Sequence, residues 1–402
     1  MVTEVGTSSE VGSQAPPWRD PKRHLWVLGM IIPLLGVGSW GLVELTGWRG
    51  FWWFGPMFVF GIIPLIDLVA GRDAENPPED ALAWLEEDRY YRWVTYLFLP
   101  VQYATLLWGA WALTTFDLAV VDRVGLAVTL GCVGGIAINV AHELGHKREK
   151  HEKWFAKVAL AQTFYGHFFI EHNRGHHTRV ATPEDPASAR LGEVVYEFWV
   201  RSVVGSLRNA WRLERVRLTR GGGSVWTPRN DVLNAWGFSL VLWGGLCAAF
   251  GPGLLPYLVV QAVVGVLLLE TVNYLEHYGM RRVRTPAGRY EKVDPSHSWN
   301  SNNIATNVLL YHLQRHSDHH ANPVRRYQAL RDFPESPVLP TGYAGMIVLA
   351  LVPWAWRRVV DPRVVAHFDG DVARANLHPR NRERVLARYG RPAASDELRA
   401  AA

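Results

Sequence analysis

Six apolar runs, each close to the length of a membrane-spanning helix, constrain this chain more than any other feature. They cover residues 25–43, 51–70, 93–113, 124–141, 232–250 and 254–275. A helix needs about 20 mostly apolar residues to cross ~30 Å of hydrocarbon. Tryptophans near the ends of the runs, such as Trp48 and Trp93, are typical of the belt at a membrane surface. Soluble cores rarely need several helices of this length, so six buried helices of a soluble domain are the weaker alternative. We predict an all-α integral membrane protein with a bundle of six transmembrane helices.

The polar segments define the predicted domain organisation. Residues 1–20 are rich in Ser, Gly, Thr and Pro, and residues 381–402 are polar. We expect a disordered tail at each end of a single domain that covers residues 21–380. About ninety mostly polar residues, 143–231, separate the fourth and fifth runs, and polar sequence resumes after the sixth. These segments are predicted to form a helical cap. The sequence before the first run is not a cleavable signal, so that run is expected to direct its own insertion.

The basic residues predict the orientation in the membrane. The chain has 42 Lys and Arg and a formal net charge of +5. With the N-terminus inside, the outer loops 44–50, 114–123 and 251–253 hold only Arg49 and Arg123, which leaves 40 on the other side. Basic residues concentrate on the side that is not translocated. We therefore predict a multi-pass protein of the inner (plasma) membrane with both termini and the cap in the cytoplasm, and no nucleic-acid partner.

The cysteines exclude one class of redox centre. The chain has only Cys132 and Cys247, and both lie inside apolar runs. They form no disulfide framework and no Cys-x-x-Cys motif. This chain is therefore expected to carry no iron–sulfur or rubredoxin-type centre of its own.

Nine of the sixteen histidines fall in four groups that are spaced for metal binding. They are His142 and His146; His172, His176 and His177; His277; and His316, His319 and His320. Residues three or four apart share a helix face, so each group can direct its imidazoles at one point. Nine ligands are too many for one metal ion and suit two. Imidazole binds iron, copper, nickel and zinc, so the ligand type leaves the metal open. All four groups lie on the predicted cytoplasmic side.

Five further polar residues are predicted to support the ligands. An ionised carboxylate inside a membrane costs ~2.5–3.5 kcal/mol on insertion scales, so it normally faces a functional interior. Glu270 and Asn273 lie in the sixth run, and Asn139 lies in the fourth. These residues, with His312 and Asp318 near the last histidine group, are candidates to hold imidazole N–H groups. Helix packing is the alternative role for the polar residues inside the runs.

Two other metal functions compete with a two-metal centre. His142-Glu143-x-x-His146 matches a zinc peptidase motif with Glu143 as general base. A peptidase needs only three protein ligands, however, and has no use for six more histidines. A metal transporter would hold its site near the bilayer midplane, whereas these histidines lie at the membrane exit. Both alternatives are weaker.

Four motifs together resemble a known family. HELGHK, EHNRGHH, NYLEHYG and LQRHSDHHAN occupy residues 142–147, 171–177, 273–279 and 313–322. They resemble the bacterial membrane alkane 1-monooxygenases, which belong to the histidine-box membrane fatty-acid desaturases and hydroxylases. The likeness extends over residues 20–380. A related desaturase, or a hydroxylase of lipid or aromatic methyl groups, is the main rival because all share the histidine boxes.

The resemblance implies a reaction, a cofactor and partners. It implies O₂-dependent hydroxylation of medium- or long-chain n-alkanes to 1-alkanols, with the substrate entering from membrane lipid. It also implies a non-haem di-iron centre without haem or flavin, and a separate rubredoxin with rubredoxin reductase as electron donor. The iron ligands implied are the nine histidines of the four groups.

Two surfaces are expected from this chemistry. An alkane offers no polar handle, so a channel between the helices must select it by shape, with Val59 and Phe60 of the second run near its floor. The donor must approach the cap near the irons. Basic residues there are candidates for docking an acidic carrier: Lys150, Lys153, Arg325 and Arg326.

Overall fold

The computed structural model describes residues 18–390. Over those residues the regular secondary structure is all-helical, and β pairing is limited to four isolated bridges. The principal helices, in chain order, are α1 (Leu25–Thr46), α2 (Arg49–Ala70), α3 (Leu82–Glu87), α4 (Arg89–Thr115), α5 (Val120–Gly145), α6 (Lys150–Ala161), α7 (168–179), α8 (Val195–Arg220), α9 (Asp231–Phe250), α10 (Pro252–His277), α11 (Ile304–Leu309), α12 (His316–Ala321), α13 (Tyr343–Ala350), α14 (Pro353–His367) and α15 (Arg382–Tyr389).

Five of these helices are long and apolar enough to cross a membrane: α1, α2, α5, α9 and α10. They correspond to five of the six predicted spans. The remaining run, 93–113, lies within α4, which is 27 residues long. Buried Gln102 and several Tyr and Trp lower the mean hydropathy of α4, although residues 93–113 carry no charge. The sixth span therefore stays a prediction.

Close packing of α5 against α10 brings the two histidine-bearing spans together. A Cβ added at Gly135 would lie 2.9 Å from the carbonyl oxygen of Gly265, and one added at Gly131 would lie 2.9 Å from that of Gln261. Small residues four apart allow two membrane helices to approach closely. His142 and His277 stand at the same end of this helix pair. We call the polar segments that follow, 146–230 and 278–390, the cap.

The folded part begins earlier and ends later than expected. Asp20, placed in the predicted N-terminal tail, is buried and accepts hydrogen bonds from Trp26 Nε1 at 3.0 Å and Tyr91 Oη at 2.9 Å. In the predicted C-terminal tail, α15 buries Val385 beside Gly192. The sequence of these short polar segments did not predict that they are folded, because each is held by a partner far along the chain. The rest of both tails lies outside the described residues.

Candidate metal centre

All nine predicted histidines come together in two groups. The first group is His142, His146, His172, His177 and His319, and the second is His176, His277, His316 and His320. Within each group, the ligand nitrogens all lie within 4.8 Å of one another. The groups are neighbours, since the rings of His177 and His320 stack with centroids 4.4 Å apart.

A π-helical turn distributes the middle histidine motif between the two groups. Residues Glu171–His176 form this turn inside α7. In a π-helix, hydrogen bonds join residues five apart, so His172 and His177 fall on one face and both join the first group. His176 points to the second group. In the same way α12 gives His316 and His320, four apart, to the second group and His319 to the first.

The Nε2 atoms converge within each group. Nε2 separations are His142–His319 2.7 Å, His172–His177 3.1 Å, His177–His319 3.2 Å, His277–His316 3.2 Å, His316–His320 2.9 Å and His176–His320 3.3 Å. Two adjacent imidazoles on one metal, each with a bond of ~2.1 Å, place their nitrogens about 3 Å apart. The groups therefore have the spacing of two metal sites.

Burial keeps the cap imidazoles neutral. Burial, followed by the neighbouring imidazoles, lowers the pKa of His172, His177, His316, His319 and His320 well below the ordinary histidine value. A neutral imidazole keeps a lone pair free for a metal, and protonation would remove it. These side chains are therefore in the form that binds a metal ion.

Asp185 contacts one of the predicted ligands, His176, and it was not among the residues predicted from the sequence. Its Oδ2 lies 2.8 Å from Nδ1 of His176 and also accepts a hydrogen bond from Ser188 Oγ at 2.6 Å. Asp185 is buried. A carboxylate on Nδ1 fixes the tautomer and leaves Nε2 for the metal. The pair spans a loop with no helical periodicity, so spacing could not predict it.

Glu276 is a second carboxylate that sequence reasoning missed, although it belongs to the third motif. Its Oε2 lies 3.2 Å from Nε2 of His316. The side chain is buried, and its Oε1 has no hydrogen-bond partner among the described residues. The second group thus has an acidic neighbour, whereas the first group is built of imidazoles.

Comparisons with known proteins agree with this geometry. A profile of the fatty acid desaturase family matches residues 123–350. Alkane 1-monooxygenase 1 of Alcanivorax borkumensis is 47% identical over 373 residues, 92% of each chain. The alkane 1-monooxygenase of Pseudomonas putida is 45% identical over 394 residues, 98% of each chain. That of Ectopseudomonas oleovorans is 46% identical over 377 residues, 94% of each chain.

The chain belongs to the alkane 1-monooxygenase family. The resemblance predicted from the four histidine motifs is confirmed. Since identity at this level extends over nearly the whole chain, the membrane helices and the cap are shared with these relatives as well as the motifs.

The five predicted supporting residues do not hold imidazole N–H groups among the residues that the structure describes: two bond backbone carbonyls near the histidines, and the other three bond neighbouring side chains. Asn139 Nδ2 donates to the Leu310 carbonyl at 2.7 Å, and His312 Nδ1 lies 2.9 Å from the Tyr327 carbonyl oxygen. Glu270 accepts hydrogen bonds from Tyr165 Oη at 2.6 Å and from Asn273 Nδ2 at 3.4 Å. Asp318 accepts hydrogen bonds from Arg325 and Asn322, both at 2.7 Å. All five are buried.

An apolar cavity of about 30 Å³ lies beside the histidines. Val59, Ile136, Leu269, Leu313 and Ile347 are among its lining residues, and Asn139 is the polar exception. Asn139 lies one helical turn before His142 in α5, and Leu313 lies three residues before His316 in the turn that leads into α12. Phe60, predicted with Val59, does not line the cavity and packs on the core beside it.

The four predicted docking residues differ in whether their charges are already held in ion pairs. Arg325 pairs with Asp318 at 2.7 Å, and Arg326 pairs with Glu149 and Glu152, each at 3.0 Å. Lys150 and Lys153 at the start of α6 are exposed. Only the two lysines are therefore free to meet a partner.

Proposed function

We propose that this chain hydroxylates the terminal methyl group of medium- or long-chain n-alkanes to give 1-alkanols. The observation that carries the proposal is the convergence of nine imidazoles in two adjacent groups beside an apolar cavity, in a chain of the alkane 1-monooxygenase family. One oxygen atom of O₂ enters the alcohol and the other leaves as water. Each turnover consumes two electrons and two protons.

The donor set fits two iron ions. Five imidazoles in one group and four in the other provide neutral nitrogen ligands that suit iron. Iron held by these nine histidines would supply the cleavage of O₂ and the oxidation of an unactivated C–H bond. Asp185 holds the His176 ring so that its Nε2 faces the second group. The packing of α5 on α10 holds His142 and His277 at a fixed separation.

The size of the histidine set argues against the peptidase alternative. Nine imidazoles converge here, whereas a zinc peptidase needs three protein ligands. Glu143, the general base of that alternative, instead links α5 to the cap: its Oε1 lies 2.9 Å from Lys147 Nζ and accepts a hydrogen bond from the Tyr327 backbone N–H at 3.2 Å.

The cavity positions the substrate by shape. An alkane chain has no group for a hydrogen bond, and the lining is apolar apart from Asn139. A volume of about 30 Å³ holds one or two waters, so an alkyl chain enters only when the lining side chains move apart. A narrow channel that ends near the histidines admits the terminal methyl group first. The enzyme therefore hydroxylates the end of the alkane chain.

The proposed topology has six helices that span the inner membrane and places the cap in the cytoplasm. The distribution of Lys and Arg supports this orientation. A separate rubredoxin, with its reductase, is the proposed electron donor, since the two cysteines offer no centre that could relay electrons. It would meet the cap from the cytoplasm.

The test uses the full chain in nanodiscs. We expect close to two irons and little zinc per chain by elemental analysis. With rubredoxin, reductase and O₂, n-alkanes should give 1-alkanols. A parallel series with aryl methyl and lipid substrates tests the main rival, and faster turnover there would replace the alkane assignment. One bound zinc with full activity in the absence of iron would overturn the di-iron proposal.

A further inference from the structure

A cleft lined by arginines lies between α8 and the loop that follows α7. Five arginines line it: Arg179, Arg190, Arg201, Arg208 and Arg212. Its volume is about 570 Å³. No step of the proposed hydroxylation uses these five guanidinium groups.

The positive charge of the cleft is only partly balanced. Arg201 pairs with Glu193 at 2.7 Å, and Arg179 pairs with Glu171 at 3.0 Å. Arg190, Arg208 and Arg212 make no ion pair within the part of the chain that the structure describes.

The two acidic residues that line the cleft, Glu184 and Asp185, already have partners elsewhere. Glu184 pairs with Arg284 at 2.8 Å, outside the arginine row, and Asp185 is bonded to His176 and Ser188. Three guanidinium groups therefore line the cleft without an ion pair of their own, so positive charge exceeds negative charge there, which is an arrangement that attracts an anion.

The same helix presents an apolar row next to the arginines. Tyr196, Val200 and Val204 of α8 are four residues apart, share a face, and are 46%, 68% and 40% exposed. Arg201, Arg208 and Arg212 lie about 100° further round the helix. A helix with an exposed apolar row bordered by arginines is typical of one that lies in the membrane surface.

Contacts with α10 set α8 at the height of that surface. Trp199 Nε1 donates to Thr271 Oγ1 at 3.0 Å. Thr271 lies six residues, about 9 Å along the helix axis, before His277 at the end of this membrane-spanning helix. This contact ties the start of α8, which carries the apolar row, to the end of α10 that leads into the cap, close to the level at which the membrane-spanning helix ends.

We propose that this cleft binds the phosphate headgroup of an anionic phospholipid, with the acyl chains along Tyr196, Val200 and Val204. Guanidinium groups form paired hydrogen bonds with phosphate oxygens, and basic pockets beside membrane helices suit such headgroups. An acidic protein would match the charge but not the apolar row. Because Asp185 and Arg179 line the same cleft, a bound headgroup would also brace the loop that orients His176. The proposal needs only the membrane placement of the chain and not its activity.

The test measures binding of dioleoyl phosphatidylglycerol to the full chain by native mass spectrometry and by thermal unfolding in neutral detergent. Arg208→Gln with Arg212→Gln removes two unpaired charges from the cleft. Arg215→Gln with Arg220→Gln makes the same charge change on exposed positions of α8 outside the cleft. We expect the cleft pair to weaken binding about tenfold or more and to abolish the lipid-induced rise in Tm. The control pair should keep both.

Four outcomes would overturn the proposal. Dioleoyl phosphatidylcholine could bind equally well, which would show that the charge of the headgroup is not recognised. The two variant pairs could lose phosphatidylglycerol equally, which would indicate diffuse attraction. Inorganic phosphate alone could reproduce the full Tm rise, which would assign the cleft to a free anion. Zinc-substituted rubredoxin, which is redox-inert, could lose binding in the cleft pair while lipid binding stays at the wild-type level, which would make the cleft a protein-docking site. None of these measurements depends on alkane turnover, so failure here leaves the proposed function untouched.

Discussion

At the scale of single residues, the buried bond from Asp185 to His176 has a testable effect on the metal. The two atoms lie 2.8 Å apart. Loss of such an outer partner typically weakens metal binding 10- to 100-fold. Asp185→Asn keeps the shape but removes the negative charge, so we expect iron to leave the second group about tenfold more readily under a chelator. Ser188→Ala removes the hydrogen bonds of Ser188 Oγ to Asp185 and from the Ala181 N–H but keeps the carboxylate on His176, so it should have a smaller effect. Equal iron retention in wild type and Asp185→Asn would exclude the orienting role.

Val59 and Phe60 form a matched pair for testing the substrate channel. Val59 lines the apolar cavity, and its neighbour Phe60 does not. A Trp at position 59 would fill space that an alkyl chain needs, so Val59→Trp should shift product formation towards shorter alkanes with iron content unchanged. Phe60→Trp should leave the chain-length profile as it is. Product profiles from a mixed series of n-alkanes, measured by gas chromatography, give the result. An unchanged profile for Val59→Trp would place the channel elsewhere.

The residues that sequence predicted and those it missed differ in one physical respect. Helical spacing predicts that His142 can join His146 and that His316 can join His320, and the structure brings each of these pairs together; how the motifs of residues 171–177 and 316–320 are divided between the two groups depends on the π-helical turn and on tertiary packing. Asp185 and Glu276 reach histidines through loops and tertiary packing. No spacing rule connects Glu276 with His316, because the two lie on different helices whose approach depends on the whole fold.

At the scale of elements, the close glycine contact between α5 and α10 predicts where the bundle does not tolerate a larger side chain. Gly135→Ala would place a Cβ 2.9 Å from the Gly265 carbonyl oxygen. Overpacking of this kind typically costs ~1–3 kcal/mol, so Tm should fall and iron binding should weaken as His142 and His277 separate. Gly245→Ala on α9 meets nothing within 4 Å, and Ala is the better helix former by ~1 kcal/mol. The Tm of the Gly245→Ala variant should therefore be unchanged or higher. If both variants unfold at the same temperature, the glycine contact does not hold the two helices in place.

Helix boundaries show what apolar runs can predict. The fourth run ends at residue 141 because polar ligands follow, yet α5 continues to Gly145 since those ligands are buried inside the protein. Residues 93–113 of α4 form an uncharged run that predicts a span, but Gln102 and the Tyr and Trp residues of that run make it less apolar than the other five. The irregular α7 was not predicted, because a π-helical turn has no simple sequence period.

At the scale of the whole molecule, the orientation in the membrane can be tested by labelling. Single cysteines at Arg49 and Gly253 should react with an impermeant maleimide on intact spheroplasts. Those at Lys150 and Glu291 should react only after permeabilisation, because both lie in the cap. Serine replacements of Cys132 and Cys247 provide the background. Labelling of Lys150→Cys in intact spheroplasts would place the histidine groups on the outer side and reverse the proposed topology.

Electron supply is also a property of the whole molecule, because the proposed donor, rubredoxin, must approach the side of the cap that leads to the proposed iron site. Lys150 lies four residues beyond His146, and Lys150 and Lys153 are exposed, whereas Arg325 and Arg326 are held in ion pairs. Reversal of both lysines to Glu should raise the KM for rubredoxin, with kcat at saturating donor and iron content unchanged.

The dependence on salt separates a docking effect from general damage. Added salt screens attraction between exposed charges beyond ~10 Å at 0.1 M, so it should raise the KM of the wild type towards that of the lysine variant. The variant itself should respond weakly. Reversal of Arg358 and Arg363 on α14, which are also exposed, makes an equal charge change elsewhere on the cap. If both reversals raise KM to the same extent, net charge steers the donor and the two lysines form no specific docking face.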